Sequence, residues 1–166
     1  MNDPLWQRVD AHEAEIVQQH VNSVPVKVGE IAIALGLRVV TAPLEPKVSG
    51  LIRPSTEAPA GFEIKVNKYE IPERQRFTIA HELAHYLLHR NEIGTGVVDS
   101  VLYRSNLTSR KETEANRLAA AIIMPAALVS REARLRGGAS RPGVVEELAE
   151  LFRVSTPAMK VRLGLT

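Results

Sequence analysis

Arg76-Phe77-Thr78-Ile79-Ala80-His81-Glu82-Leu83-Ala84-His85-Tyr86-Leu87-Leu88-His89 is the stretch on which the rest of the chain depends. Within it lies His-Glu-x-x-His. On an α-helix, residues four apart share a face, so His81 and His85 can aim a ring nitrogen each at one point. Two imidazoles on one face are half of a zinc site. Glu82 then stands beside the metal rather than on it, where it can take a proton from metal-bound water. Pro72 suits a first helical turn and Glu73 complements the helix dipole there, so the spacing predicts one helix from about Pro72 to His89.

A catalytic zinc takes three protein ligands and a water, so a third Asp, Glu or His must come from another ordered element. Glu112-Thr113-Glu114-Ala115-Asn116-Arg117-Leu118-Ala119-Ala120 is the place to look, because a carboxylate there opens a helix whose later turns are strongly apolar. Glu112, Ala115, Asn116 and Ala119 share one face. A carboxylate on the buried side of a helix needs a partner, and a metal ion supplies one. Glu114 is the rival. At ~100° per residue it points roughly 160° away from Asn116, and Glu112 is preferred on that ground. Asn116 could accept the free N–H of a ligating histidine.

Outward from these two helices, the N-terminal part reads as a helix over about 5–22, stopped by Ser23-Val24-Pro25. A second helix over about 28–36 is closed by Gly36. Strands are predicted at 37–41, 48–53 and 61–67, the last two forming a hairpin across the turn-rich Pro54–Ala60. In Phe62-Glu63-Ile64-Lys65-Val66 apolar and charged residues alternate, as in a strand buried on one face. Residues 91–109 read as irregular, with a short strand at Val97–Tyr103. Helices follow over about 111–124, 126–136, 144–152 and 156–163. The fold class is α+β: a small antiparallel sheet packed on helices, among them the His-Glu-x-x-His helix, with a C-terminal helical part. The whole of 1–166 is expected to be a single domain, with 1–70 holding the N-terminal helices and sheet, 71–125 the metal-site helices and 126–166 the C-terminal helices.

The chain's 166 residues are enough to bury a core, and 45% hydrophobic with 24% charged residues is ordinary globular usage. A formal charge of +2 does not imply nucleic acid. With no cysteine, disulfides and Cys-based zinc sites are excluded. The opening Met-Asn-Asp-Pro-Leu-Trp lacks the pattern of a signal peptide, and the most apolar window, Leu118–Val129, contains Pro125 and is too short to span a bilayer. A cytoplasmic protein without membrane association is expected.

The run from Arg74 to His89, followed by Glu112-x-x-Ala115-Asn116-x-x-Ala119-Ala120-x-x-x-Met124-Pro125, resembles the ImmA/IrrE family of bacterial metallopeptidases. The resemblance covers about residues 28–130, and Glu147–Ser155 is similar as well. It implies a gluzincin-like zinc site with His81, His85 and Glu112 as ligands, Glu82 as general base and Asn116 behind a ligand, where some relatives carry Asp. It also implies a substrate, since such proteins typically cleave, or promote cleavage of, a helix-turn-helix repressor. The expected activity is therefore that of a zinc-dependent endopeptidase. The alternative is a non-proteolytic co-regulator or toxin–antitoxin component that binds a repressor without cutting it.

Around that core, Tyr86, His89, Tyr103 and Arg104 are candidate oxyanion donors. His89, four beyond His85, can also be read as a fourth ligand, but a capping or packing place at the helix end is the preferred reading. The strand Gly61–Asn67 is the expected sheet edge for a substrate strand. Arg131, Arg134, Arg136 and Arg141, against Glu132 alone, leave a local positive excess that reads as a solvated loop rather than a DNA contact. The last two helices have a helix-turn-helix look without clustered base-reading side chains, and read as packing elements.

Overall fold

Asn67 closes the strand that organises the sheet. In the computed structural model, which describes residues 3–93 and 109–165, β3 (Phe62–Asn67) is the centre of a three-stranded sheet in the order β1-β3-β2. β2 (Gly50–Pro54) pairs with it antiparallel, as the hairpin reading expects, and Ser55 N–H donates to Gly61 O at 2.8 Å. β1 (Arg38–Ala42) pairs with its other side in parallel. The small sheet is thus mixed rather than wholly antiparallel. The physical reason is the loop at 43–49, which carries the chain over the end of β3. The Asn67 side-chain amide holds that loop by donating to the carbonyls of Leu44, Glu45 and Val48 at 3.3, 3.2 and 2.9 Å. The same crossing corrects the expected edge: Gly61–Asn67 is central, and among the described residues β1 and β2 are the outer strands.

Register explains the sheet's buried charge. Arg38 and Arg53 both stand opposite Glu63, and donate to its carboxylate at 3.1 and 2.6 Å. On the other face Ile52 and Ile64 are direct partners, both fully buried, each removal of such a side chain from water being worth roughly 1.5–3 kcal/mol.

α3 (Pro72–His89) lies over this sheet and runs the length the motif predicts. It approaches β2 so closely that a Cβ on Gly50 would meet Thr78 Cγ2 at 2.4 Å, while the β3 backbone stands as near on the strand side, with Lys65 O at 2.6 Å. Against it packs α4 (Ser109–Ile123). Ala80 and Ala84 on α3 and Ala115 and Ala119 on α4 are all fully buried. Small residues at a helix contact let the axes come close. Short polar side chains from both helices can then meet.

The N-terminal reading needs one correction. In place of one helix over 5–22 there is a 3₁₀ turn (Pro4–Arg8) and then α1 (Ala11–His20). Asp10 starts the second by accepting from His12 N–H and Glu13 N–H, a role its short carboxylate fills better than a helix-interior place. α2 (Val28–Ala34) ends as expected, with Gly36 at φ 83°. After α4 come α5 (Ala126–Leu135), α6 (Val144–Phe152) and α7 (Thr156–Arg162), making seven α-helices among the described residues. The α+β class holds.

α6 and α7 are packing elements. Phe152 and Met159 are fully buried, and Arg76 of α3 donates at 3.4 Å to the carbonyls of Phe152 and Arg153, which the end of α6 leaves free. Arg131 and Arg136 pair with Glu132, and Arg141 with Glu147, so most of that basic segment is locally compensated. One apolar cluster runs from Leu5 to Met159. No helix among the described residues is long and apolar enough to cross a membrane. The expected strand at Val97–Tyr103 lies outside the described residues.

Candidate metal centre

α3 and α4 bring His81, His85 and Glu112 together. One ligand atom from each lies within 4.8 Å of the others. His81 Nε2 and His85 Nε2 are 3.1 Å apart, Glu112 Oε1 is 3.0 Å from His85 Nε2, and Glu112 Oε2 is 3.3 Å from His81 Nε2. Four donors held tetrahedrally at ~2.0–2.1 Å stand about 3.3 Å from one another, so this spacing fits an ion of zinc's size. The donor chemistry fits as well, two imidazoles and one carboxylate being a ligand set of catalytic zinc.

Electrostatics prepare the same groups. Burial would raise the Glu112 carboxyl, but the His81 and His85 rings beside it override that and hold the group well below the usual carboxylate range. Burial pushes His85 down and the neighbouring His81 adds to that, together outweighing the upward pull of Glu112, which favours the neutral imidazole, the form that ligates. Glu82, one residue on from His81, is completely buried.

Each histidine of the cluster is gripped from behind. His81 Nδ1 is 2.9 Å from Asn116 Oδ1, the partner its helical spacing from Glu112 suggests. His85 Nδ1 is 2.9 Å from His89 Nδ1, whose Nε2 is 2.9 Å from Glu114 Oε2. Glu114 therefore stands outside the three-residue cluster. Arg8 donates to it at 2.8 Å and, with His89, lowers its carboxyl to about 2. The expectation that His89 caps or packs at the helix end misses this bridge. Its signal was in the sequence: His81, His85 and His89 recur every fourth residue and share a face. Arg8 carried no such signal, since its partner is 106 residues away.

Of the oxyanion candidates, Tyr86 is engaged elsewhere. Its hydroxyl donates to Glu13 at 3.2 Å and the Arg90 guanidinium lies 4.0 Å over its ring. Tyr103 and Arg104 lie outside the described residues. The cluster opens into a cavity of about 220 Å³ lined by Ser49, Arg74, Phe77, Thr78, His81, Glu112 and Asn116. Ser49 directly precedes edge strand β2, so the cavity meets that end of the sheet.

Two imidazoles of a His-Glu-x-x-His helix facing a carboxylate on a second helix is the arrangement of a metallopeptidase centre. Residues 32–164 match the family model described as the IrrE N-terminal-like domain, a peptidase family, and the chain belongs to that family. It is 34% identical over 92 residues to the radiation response metalloprotease IrrE of Deinococcus radiodurans, an alignment covering 55% of this chain and 27% of that protein. A solved structure described as a Mycobacterium tuberculosis transcriptional regulator shares the fold, with a TM-score of 0.57 and 17% identity over 95% of this chain and 48% of that one. The chain thus spans about a quarter of the first relative and about half of the second.

Proposed function

We propose that this protein is a zinc-dependent endopeptidase that cleaves a helix-turn-helix transcriptional repressor. The observation that carries the peptidase reading is the convergence of His81, His85 and Glu112 beside the buried Glu82. The repressor as substrate rests on the family to which the two motif blocks belong.

His81, His85 and Glu112 would hold the metal. A divalent ion there supplies a Lewis acid that acidifies water and polarises the scissile carbonyl. Glu82 accepts the proton of the attacking water and delivers it to the leaving amine. Asn116 keeps the His81 ring turned towards the cluster. The substrate lies extended as a strand added alongside β2, an outer strand of the sheet among the described residues, where Ser49 leads into the cavity. Zinc is the metal of choice because two imidazoles and one carboxylate suit it better than harder ions.

The test incubates zinc-loaded wild type and Glu82→Gln with helix-turn-helix repressors of the same organism, and measures metal content of both. About one zinc per chain in each, with cleavage by wild type alone, is the expected result. Cleavage by metal-free protein, or full activity in Glu82→Gln, would overturn it. A stable uncut complex formed equally by both would favour the co-regulator reading.

A further inference from the structure

His85 is backed by more than a packing neighbour. An imidazole that gives Nε2 to a metal keeps its proton on Nδ1 and must donate it. The atom 2.9 Å away is His89 Nδ1, which must then be the acceptor. That places the His89 proton on Nε2, which faces Glu114 Oε2 at 2.9 Å. Glu114 in turn accepts from Arg8 at 2.8 Å and from Arg110 at 3.2 Å. His85 and His89 are almost wholly buried, with side chains 1% and 2% exposed, so neither ring can exchange these partners for bulk water. With Nε2 of His85 given to a metal, the donors and acceptors along this line match in that order.

We propose that Arg8, Glu114 and His89 form a positioning line that fixes the tautomer and ring direction of His85 for the metal. The N-terminal segment is thereby a working part of the site, although it lies before the family-matched residues 32–164. Three further contacts dock it there: Asp3 with Arg117 at 2.6 Å, Glu13 with Arg90 at 2.6 Å, and Glu13 with Tyr86 at 3.2 Å. Among the described residues His81 has a neutral amide behind it, whereas His85 has a carboxylate reached through a second imidazole. The line adds electron density to one ligand and not the other.

The inference rests on the metal-binding part of the proposed function, and its test reads metal affinity and ligand field instead of cleavage. Zinc affinity is measured by competition with a chromophoric chelator for wild type, Glu114→Gln, His89→Gln and Arg8→Ala. Cobalt(II) absorption spectra are recorded for each. Glu114→Gln and His89→Gln are expected to bind zinc ten- to a hundredfold more weakly, with altered cobalt spectra and little change in the melting temperature of the metal-free protein. Arg8→Ala, at a half-exposed position that leaves the core intact, is expected to lose about two- to fivefold. Affinities and cobalt spectra indistinguishable from wild type in Glu114→Gln and His89→Gln would overturn the line, and an unchanged Arg8→Ala would remove the N-terminal segment from it. Wild type that takes up zinc with these losses but cuts no repressor would overturn the proposed activity and leave the line standing.

Discussion

Asn116 Oδ1 stands 2.9 Å from His81 Nδ1, across the contact between the two metal-site helices. The amide oxygen can only accept, so it selects the His81 tautomer whose Nε2 is free for a metal. Asn116→Ala is expected to lower zinc affinity about tenfold. Asn116→Asp should tighten binding, because a carboxylate makes the imidazole a stronger donor. Chelator competition measures both, and an unchanged Asn116→Ala would refute the role.

The two glutamates of α4 should separate cleanly. Glu112→Ala removes one of three converging ligands and is expected to leave well under one zinc per chain after dialysis. Glu114→Ala should retain near-stoichiometric zinc under the same conditions and release it sooner to a chelator. Elemental analysis distinguishes them, and equal zinc contents would contradict the assignment.

Removing the metal should lower stability by mass action. At free zinc about a hundredfold above the dissociation constant, binding contributes about 2.7 kcal/mol. For a chain of this length that is a melting shift of roughly 5–10 °C. Glu82→Gln should show the same zinc-dependent shift, which calorimetry with and without chelator can check. A melting temperature indifferent to zinc would count against a folded-state metal site.

Gly50→Ala probes how tightly α3 is seated. The added methyl would fall 2.4 Å from Thr78 Cγ2 and 2.6 Å from Lys65 O, and the second of these is backbone with little room to yield. A loss of about 1–3 kcal/mol is expected in denaturant titration, with Thr78→Ser restoring part of it. A neutral Gly50→Ala would show that the helix and β2 can part without cost.

Glu63 should make part of the acid sensitivity. Burial would raise its carboxyl, but the Arg53 hydrogen bond and the charges of Arg53, Lys65 and Arg38 hold it below the ordinary value. Its folded value is thus below its unfolded value of about 4.3, so the unfolded chain binds the proton more tightly. The stability it contributes is full above that pH and is lost as pH falls through the folded value. Glu63→Gln should cost roughly 1–3 kcal/mol near neutral pH and flatten the acid limb. An acid limb of unchanged slope would assign that sensitivity to other groups.

The sequence by itself determined α3, because Pro72, the four-residue histidine spacing and the apolar stripe all have the helical period and agree with one another. It also singled out Glu112 over Glu114, since a helical wheel needs only local geometry to decide which carboxylate shares a face with Asn116 and the alanines. The hairpin from β2 to β3 was legible for the same reason: its turn is local. Tertiary structure alone decided the parallel seat of β1, which depends on Asn67 gripping a loop some twenty residues earlier in the chain. It alone joined Arg8 to Glu114 and Glu114 to His89. Periodicity reports which residues share a face, but which faces meet is set by packing between distant segments, and no local pattern encodes that.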